Sequence, residues 1–326
     1  MTANDPTLLG HIHIPALLVS GQRVIFANPA AVELLGAHVV GEDVRIALRS
    51  PVAVSLVTGE SDGSVRLEGL SVPGSQWNLA VHRLSSGERL VTLEDLSVRA
   101  SVARAHADFV ANASHELRTP LASILGYVET LQSTGAGEDA ETRARFLSII
   151  AHEAKRMQAL VEDLMSLSRI EAVKHEAPSA DVDVVALARA AATESGRDVP
   201  VTITSNVDSA IVAGDAGQLA QVLRNLIENA IKYGKPPVDV TLEATPTGWL
   251  ALSVRDHGEG IAPEHLPRLT ERFYRADAGR SRAAGGTGLG LSIVKHIVER
   301  HRGRFDIASR EGSGTTASIM LPLRKN

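Results

Sequence analysis

Two apolar stripes at helical spacing, separated by a short breaker, constrain this chain more than any other feature. Phe109, Ala113, Leu117, Leu121, Leu125 and Val128 recur at steps of three and four, and Ser133-Thr134-Gly135-Ala136-Gly137 ends the run. In the next stretch Ile150, Ala154, Met157, Val161, Leu164 and Ser168 step by 4, 3, 4, 3, 4, while Leu147, Leu160 and Leu167 widen the stripe. This spacing predicts two amphipathic helices joined as a hairpin. The seam is wider than two helices cover, which predicts a homodimeric four-helix bundle. The competing arrangement is a monomeric hairpin docked on a neighbouring domain.

The flanks read differently. Residues 12–96 alternate short apolar runs with Gly, Ser, Asn and Pro turns. Strands are expected at Ala16–Val19, Val24–Phe26, Gln76–Val81 and Arg89–Leu93, with a short helix from Ala30 to Leu35 closed by Gly36. This is a small domain with an antiparallel sheet. After the hairpin, periodicity is lost from Ala172 to Ala180, which reads as a linker. A helix is expected at 182–193, strands at Val201–Ser205 and Ala210–Gly214, and a helix at Gly217–Tyr233. Strands follow at Val238–Ala244 and Trp249–Arg255, then a helix from Gly288 to His301 and strands at Arg304–Ser309 and Thr315–Leu323. These elements predict an α/β sandwich with helices on one face. The expected fold is therefore multidomain α+β, with domains at 1–97, 98–172 and 181–326 and a linker at 173–180.

The bulk numbers exclude several classes. A length of 326 residues, 44% hydrophobic and 22% charged, allows two or three domains with ordinary cores. A net charge of −5 supplies no broad basic field, so no nucleic acid is expected as partner. With no cysteine, disulfides, zinc–thiolate sites and thiolate catalysis are impossible. No apolar run reaches the roughly 18–20 residues that span a bilayer, and Met1–Gly10 lacks the character of a signal peptide. The expectation is a cytoplasmic chain, or the cytoplasmic part of an inner-membrane protein whose tether lies outside this sequence. His11, His13, His38 and His82 form no spaced cluster and read as surface residues rather than haem or metal ligands.

Chemistry concentrates in four segments. His115 falls mid-helix on the face away from Leu117 and Leu121, and Glu116 beside it is a candidate partner for one imidazole nitrogen, leaving the other nucleophilic. Pro120 removes an amide donor and should bend the helix one turn on, and Thr119 lies four residues from His115 on its face, where it can orient a water. Asn225 and Asn229 stack on one helix face with Lys232 near the same edge. Alone this reads rather as the polar face of a surface helix; with the other motifs it suits a hydrated Mg²⁺ on phosphates, with Lys232 and Tyr233 as donors. Asp256 ends a strand before Gly258-Glu259-Gly260, where a carboxylate suits an exocyclic amine such as that of adenine. Gly286-Thr287-Gly288-Leu289-Gly290 precedes a helix, so its amides face phosphate at the positive helix end.

Phe109-Val110-Ala111-Asn112-Ala113-Ser114-His115-Glu116-Leu117-Arg118-Thr119-Pro120-Leu121 resembles the phosphoacceptor segment of sensor histidine kinases without a departure. The resemblance implies that His115 accepts phosphate, Glu116 assists and Thr119 serves phosphatase activity. The later segments resemble the nucleotide boxes of Bergerat-fold ATPases, histidine-kinase branch. That likeness implies Asn225 and Asn229 for magnesium and phosphate, with Lys232 and Tyr233 lining the phosphate region. It further implies Asp256 for adenine, Arg275 for the γ-phosphate, and Gly286, Gly288 and Gly290 closing a nucleotide lid that spans Ala276–Gly285. Gly258, Gly260, Thr287 and Leu289 complete the expected ATP site, with Asn229 the metal residue. Three positions depart from the pattern: His257 in place of Asn, Leu269-Thr270-Glu271 in place of a Phe start, and His301-Arg302-Gly303 in place of His-Gly-Gly. Leu269–Arg275 and the Ser281-Arg282 pair also resemble phosphate-regulon sensor kinases. Gly21 to Gly36 resembles the opening of a PAS domain, and Glu94-Asp95-Leu96-Ser97 its exit into a signalling helix.

The resemblance thus implies a PAS-like domain, a dimerising phosphotransfer hairpin and an ATPase domain. The implied activity is ATP-dependent phosphorylation of His115 with transfer to an aspartate of a response-regulator receiver domain. Two other readings stand beside it: a scaffold that binds ATP or partners without catalysis, and an ATPase of the chaperone, mismatch-repair or topoisomerase type, which has no use for the His-Glu hairpin.

Overall fold

The computed structural model describes residues 9–133, 140–172, 176–195, 199–276 and 286–324. Two compact units divide the chain, Met1–Val110 and Ala111–Asn326.

In the first unit β1 (Ala16–Ser20) and β2 (Arg23–Ala27) form a hairpin, followed by the short helices α1 (Pro29–Leu35), α2 (Val44–Ala47) and α3 (Pro51–Thr58). The strands β3 (Gly63–Glu68), β4 (Gln76–Arg83) and β5 (Arg89–Asp95) complete an antiparallel sheet of order β2-β1-β5-β4-β3. Leu17, Val19, Leu79, Val81, Val91 and Leu93 alternate inward and close the core against α1–α3. Asn28 is the polar joint of this unit. Its Oδ1 accepts from the Ala16 and Ala31 amides at 2.9 Å each, capping α1, and its Nδ2 donates to the carbonyls of Ile12 and Ile14. The sheet leads into the helix α4 (Ser97–Ser133) through Asp95 and Ser97: the Ser97 amide donates to Asp95 Oδ1 at 2.7 Å, and Ser97 Oγ accepts from the Gln76 amide. Those bonds from Ser97 lower the Asp95 pKa.

The second unit begins within α4, which pairs with α5 (Ala140–Ala172). The helix α4 runs unbroken through Pro120, whose missing amide leaves the Glu116 carbonyl without its usual helical donor. Tyr127 and Phe146 stack across the hairpin with centroids 5.1 Å apart. The hairpin loop, read near Ser133–Glu138, lies outside the described residues beyond Ser133. Part of the predicted seam stays uncovered in the single chain: Leu121, Leu125, Leu147 and Val161 are each 46–52% exposed, and Met165, one turn beyond Val161, is 55% exposed. Leu160, Leu167 and Ile170 on α5 are instead buried, where α5 meets the last helix of the chain.

The remaining elements are β6 (Ala180–Asp183), α6 (Val184–Ser195), β7 (Val201–Ser205), β8 (Ile211–Gly214), α7 (Ala216–Tyr233), β9 (Val238–Ala244) and β10 (Trp249–Arg255), and then α8 (Gly290–Arg300), β11 (Arg304–Ser309) and β12 (Thr315–Pro322). The sheet order is β11-β12-β10-β9-β7, antiparallel except for the parallel β7–β9 pair, and β6 pairs with β8 apart from it. Alternating burial along β9 and β10 shows one covered face, where α6, α7 and α8 pack. Leu219, Val222, Leu223, Leu226, Ile227 and Ala230 form the buried side of α7. No described helix is long and apolar enough to cross a membrane.

The structure corrects two expected boundaries. Ala180–Asp183 is a strand rather than linker and helix, because Asp183 Oδ1 accepts from the amides of Val185 and Ala210 and so starts α6 at Val184. The last helix begins at Gly290, so Gly286–Leu289 is loop. The elements β3, α2 and α3 go beyond what the sequence pattern predicts.

Candidate functional site

The helix α7 presents its polar side, the strand end of β10 presents Asp256, and the Gly286–Gly290 loop closes a third side. Between them lies a cavity of about 480 Å³. Asn225, Asn229, Lys232, Tyr233, Asp256, Gly260, Arg275, Gly286, Thr287, Gly288 and Gly290 all line it, so residues spread over 66 positions of sequence converge. The cavity has two characters. Val254, Ile261, Leu269, Ile307 and Ala317 are its apolar lining, with Val254, Ala317 and Ile307 cross-strand neighbours at the strand end that carries Asp256, while Arg224, Asn225, Asn229, Lys232, Arg275 and Thr287 contribute polar groups.

Asp256 is held by its own turn. Its Oδ1 accepts from the Gly258 amide at 2.8 Å, its backbone amide donates to the Thr315 carbonyl, and Oδ2 has no partner among the described residues. Close backbone approach makes this possible. A Cβ on Gly258 would stand 2.7 Å from Gly234 Cα, one on Gly234 would stand 2.3 Å from Asp256 Cβ, and one on Gly314 would stand 2.0 Å from the Asp256 carbonyl oxygen. Gly258 therefore supports the acid from outside the cavity. The neighbouring His257, where the pattern has Asn, places Nε2 2.9 Å from Asp239 Oδ2.

Among the polar lining groups the Asn225 amide nitrogen donates to the Gly290 carbonyl at 3.2 Å, leaving its Oδ1 as an acceptor, and Asn229 lies against the same glycine. Lys232 pairs with Glu228 at 3.0 Å. These neutral oxygen donors beside acids fit a hydrated divalent cation bridging phosphates better than a fully protein-ligated one. Leu289 is fully buried beneath its loop rather than lining the cavity, and its amide donates to Thr287 Oγ1 at 3.2 Å. Gly288, at φ 74°, lets the loop cross the Phe273 backbone, whose amide donates to the Gly288 carbonyl. Behind α7, the Asp215 amide donates to His301 Nε2, and His301 Nδ1 donates to the Ile297 carbonyl. Burial lowers the His301 pKa against the opposing bond to Ile297, and accepting the Asp215 amide at Nε2 requires the neutral imidazole.

His115 is exposed on α4 and is not among the cavity's described lining residues. Thr119 Oγ1 donates to the His115 carbonyl at 3.4 Å. Glu116 departs from expectation. Adjacent helical residues diverge by about 100°, and its carboxylate is taken by Arg156 at 3.3 Å and Arg275 at 3.0 Å instead of the imidazole. Arg275, expected at a γ-phosphate, donates to Glu116 and to the Gly286 carbonyl, and its buried Nε lacks a partner among the described residues. An orphaned guanidinium donor in the cavity lining fits an arriving anion. The lid beyond Ala276 lies outside the described residues.

Sequence reasoning missed Gly234, Gly314, Tyr274 and Asp163. The two glycines stood outside any recognised box, and Asp163 belongs to the hairpin. Asp163 Oδ2 accepts from Thr287 Oγ1 at 2.6 Å; burial raises its pKa, opposed by that bond and by Lys232.

Residues 105–173 match the His Kinase A (phospho-acceptor) domain, and residues 214–325 match the histidine kinase-, DNA gyrase B- and HSP90-like ATPase family. The phosphate regulon sensor protein PhoR of Pseudomonas aeruginosa is 39% identical over 70% of this chain and 53% of its own length. The sensor-like histidine kinases SenX3 of Mycobacterium tuberculosis and Mycolicibacterium smegmatis are 37% and 34% identical over 86% of this chain, covering 67% and 71% of theirs. This chain thus spans about half the PhoR relative and about two thirds of the SenX3 relatives. Among solved structures, histidine kinase ThkA in complex with response regulator protein TrrA matches 98% of both chains at TM-score 0.55 and 20% identity, a likeness of fold. The Acinetobacter baumannii histidine kinase AdeS matches 65% of this chain at TM-score 0.51 and 24% identity, again in fold alone. With an ATPase-family domain around the cavity, a phosphoacceptor hairpin before it and relatives alike over most of the chain, the protein belongs to the sensor histidine kinases of two-component systems.

Proposed function

We propose that this protein binds ATP in the C-terminal cavity, phosphorylates His115, and passes the phosphoryl group to an aspartate of a response-regulator receiver domain. The observation that carries this reading is the mixed lining of the cavity, which joins apolar side chains and the Asp256 carboxylate to a set of polar donors. A flat base with an exocyclic amine suits the first, and a triphosphate suits the second. Asp256 reads the adenine amine; Gly258 and Gly260 shape its turn. Asn225, Asn229, Lys232, Tyr233 and the amides of Gly286, Thr287, Gly288 and Gly290 hold the phosphates, with Leu289 anchoring the loop. Mg²⁺ beside Asn229 would neutralise phosphate charge.

In the transfer, the bond from the γ-phosphorus to its bridging oxygen breaks and a phosphorus–nitrogen bond forms at the His115 imidazole. ADP leaves with the electron pair, and the imidazole proton is released. Glu116 assists by taking that proton, which requires it to leave Arg156 and Arg275; Arg275 is then free for the γ-phosphate. Because His115 lies outside the cavity in the arrangement described, the ATPase domain must shift on the hairpin before transfer. The same hairpin dephosphorylates the regulator when Thr119 orients water.

The exposed seam of Leu121, Leu125, Leu147, Val161 and Met165 supports a homodimer closed as a four-helix bundle. The β2-β1-β5-β4-β3 sheet supports a PAS-like regulatory role for the first domain. Likeness to PhoR supports phosphate limitation as the signal, and the chain would act in the cytoplasm, alone or as part of a membrane-tethered protein. Calorimetric titration with Mg-ATP and Mg-GTP tests the base reading. ATP should bind at least about tenfold more tightly than GTP, and Asp256→Asn should abolish most of that preference, since a carboxylate acceptor and a guanine carbonyl repel. Equal affinity for both nucleotides would contradict it.

A further inference from the structure

The hairpin contributes to the nucleotide cavity. Ala159, Glu162 and Asp163 of α5 line it together with Asn229 and Lys232 of α7. Among these, Asp163 alone binds a residue of the glycine-rich loop: its Oδ2 accepts from the Thr287 hydroxyl at 2.6 Å. That hydroxyl in turn accepts from the Leu289 amide, so the carboxyl fixes the loop through one atom. An acid here is an anion placed where phosphate oxygens are expected.

We propose that Asp163 is a built-in competitor of the triphosphate, holding Thr287 until a nucleotide displaces it and thereby loosens the ATPase domain from the hairpin. This rests on the kinase reading above. The surroundings argue for competition rather than support. Glu162 on the same helix and Glu228 on α7 add negative charge, opposed by the Thr287 bond and by the Lys232 cation. Burial is the largest influence and disfavours the charged form, which the Thr287 bond and Lys232 offset only in part. A triphosphate brought to the same donors would be repelled by the carboxylate and would satisfy Thr287 in its place.

The bond does not act alone. Glu116–Arg275, Glu171–Arg272 and Ser166–Gln221 join the same two parts of the unit. Displacing Asp163 therefore breaks one of several links that hold the ATPase domain against the hairpin. Linkage requires the converse: weakening the latch must tighten nucleotide binding by the same factor.

The test is Mg-ATP titration by calorimetry of the whole chain carrying His115→Ala, so that no transfer consumes the probe. The parent is compared with Asp163→Asn and Asp163→Ala. Asparagine keeps the shape and an acceptor for Thr287 but not the charge, which guards against misfolding of the alanine variant. Both should bind Mg-ATP about tenfold more tightly, the alanine variant at least as much as the asparagine one. Hydrogen exchange gives a second readout: saturating Mg-ATP should speed exchange across Leu160–Ile170 in the parent, and Asp163→Ala should show that faster exchange without nucleotide. Unchanged or weaker binding in both variants overturns the latch while leaving the kinase reading intact. Absence of Mg-ATP binding by the parent overturns both.

Discussion

The two sheet-bearing parts of this molecule use the same materials and reach opposite ends. Each has a five-stranded sheet with helices packed on it. In the first, aliphatic side chains and Trp77 form the core, and the buried Asn28 spends all its bonding on the backbone. In the second, the space between α7 and the sheet edge opens into a cavity with Asp256 in its lining. Glycines mark the difference. Gly41 and Gly87 have positive φ, and a Cβ on either would meet nothing within 4 Å, so they serve turns; Gly260 and Gly314 would drive a Cβ to 2.1 Å and 2.0 Å from backbone oxygens. A turn glycine shapes its own chain, whereas a crossing glycine lets two chain segments share one place. Only the second kind builds a site.

The most severe way to break this comparison is to substitute one glycine of each kind. Gly314→Ala combines overpacking of about 1–3 kcal/mol with a left-handed alanine at about 1–2 kcal/mol. It displaces the Asp256 carbonyl, and Mg-ATP affinity should fall about 100-fold, read by calorimetry. Gly87→Ala carries only the left-handed penalty of about 1–2 kcal/mol, visible in denaturant melts, and should leave nucleotide affinity unchanged. Equal losses of affinity in the two variants would erase the distinction.

A smaller effect sharpens it through pH. His301 has a lowered pKa because it is buried, so its contribution to stability is present above its unfolded value near 6.5 and is lost as pH falls from there through the folded value. The ATPase domain should lose up to about 1.4 kcal/mol per pH unit within that window, and His301→Gln should flatten the dependence in thermal melts. The smallest effect lies next door. Arg302 sits at φ 57°, where the family pattern has glycine. Arg302→Gly relieves a left-handed penalty of about 1–2 kcal/mol against glycine's entropic cost of about 0.5–1 kcal/mol, for a net gain of about 0.5 kcal/mol in thermal melts.

What was legible in the sequence followed from period. The strands β9 and β10 have the boundaries their alternation predicts, because each buries every second residue, and β11 does so with exposed and half-buried residues in alternation. The strand β6 was hidden because only Val182 is buried in four residues, too few to establish a period. The helix α3 was announced by Ser50-Pro51, with Ser50 capping Ala53, but eight mostly apolar residues carry no clear stripe. In the site, segments whose side chains touch the cavity were visible as motifs. Gly234 and Gly314 were not, since what makes them necessary is another segment passing over them. The partner of Glu116 was equally hidden, because Arg275 lies 159 residues away.

The central claim is that the open sheet domain supplies phosphate to a histidine on the hairpin. Purified protein is incubated with γ-³²P-ATP and Mg²⁺, wild type beside His115→Ala, and the label is scored for stability in acid and base. The account predicts acid-labile, base-stable label on the wild type and none on the variant. Label that persists on His115→Ala, or label stable to acid, would contradict it.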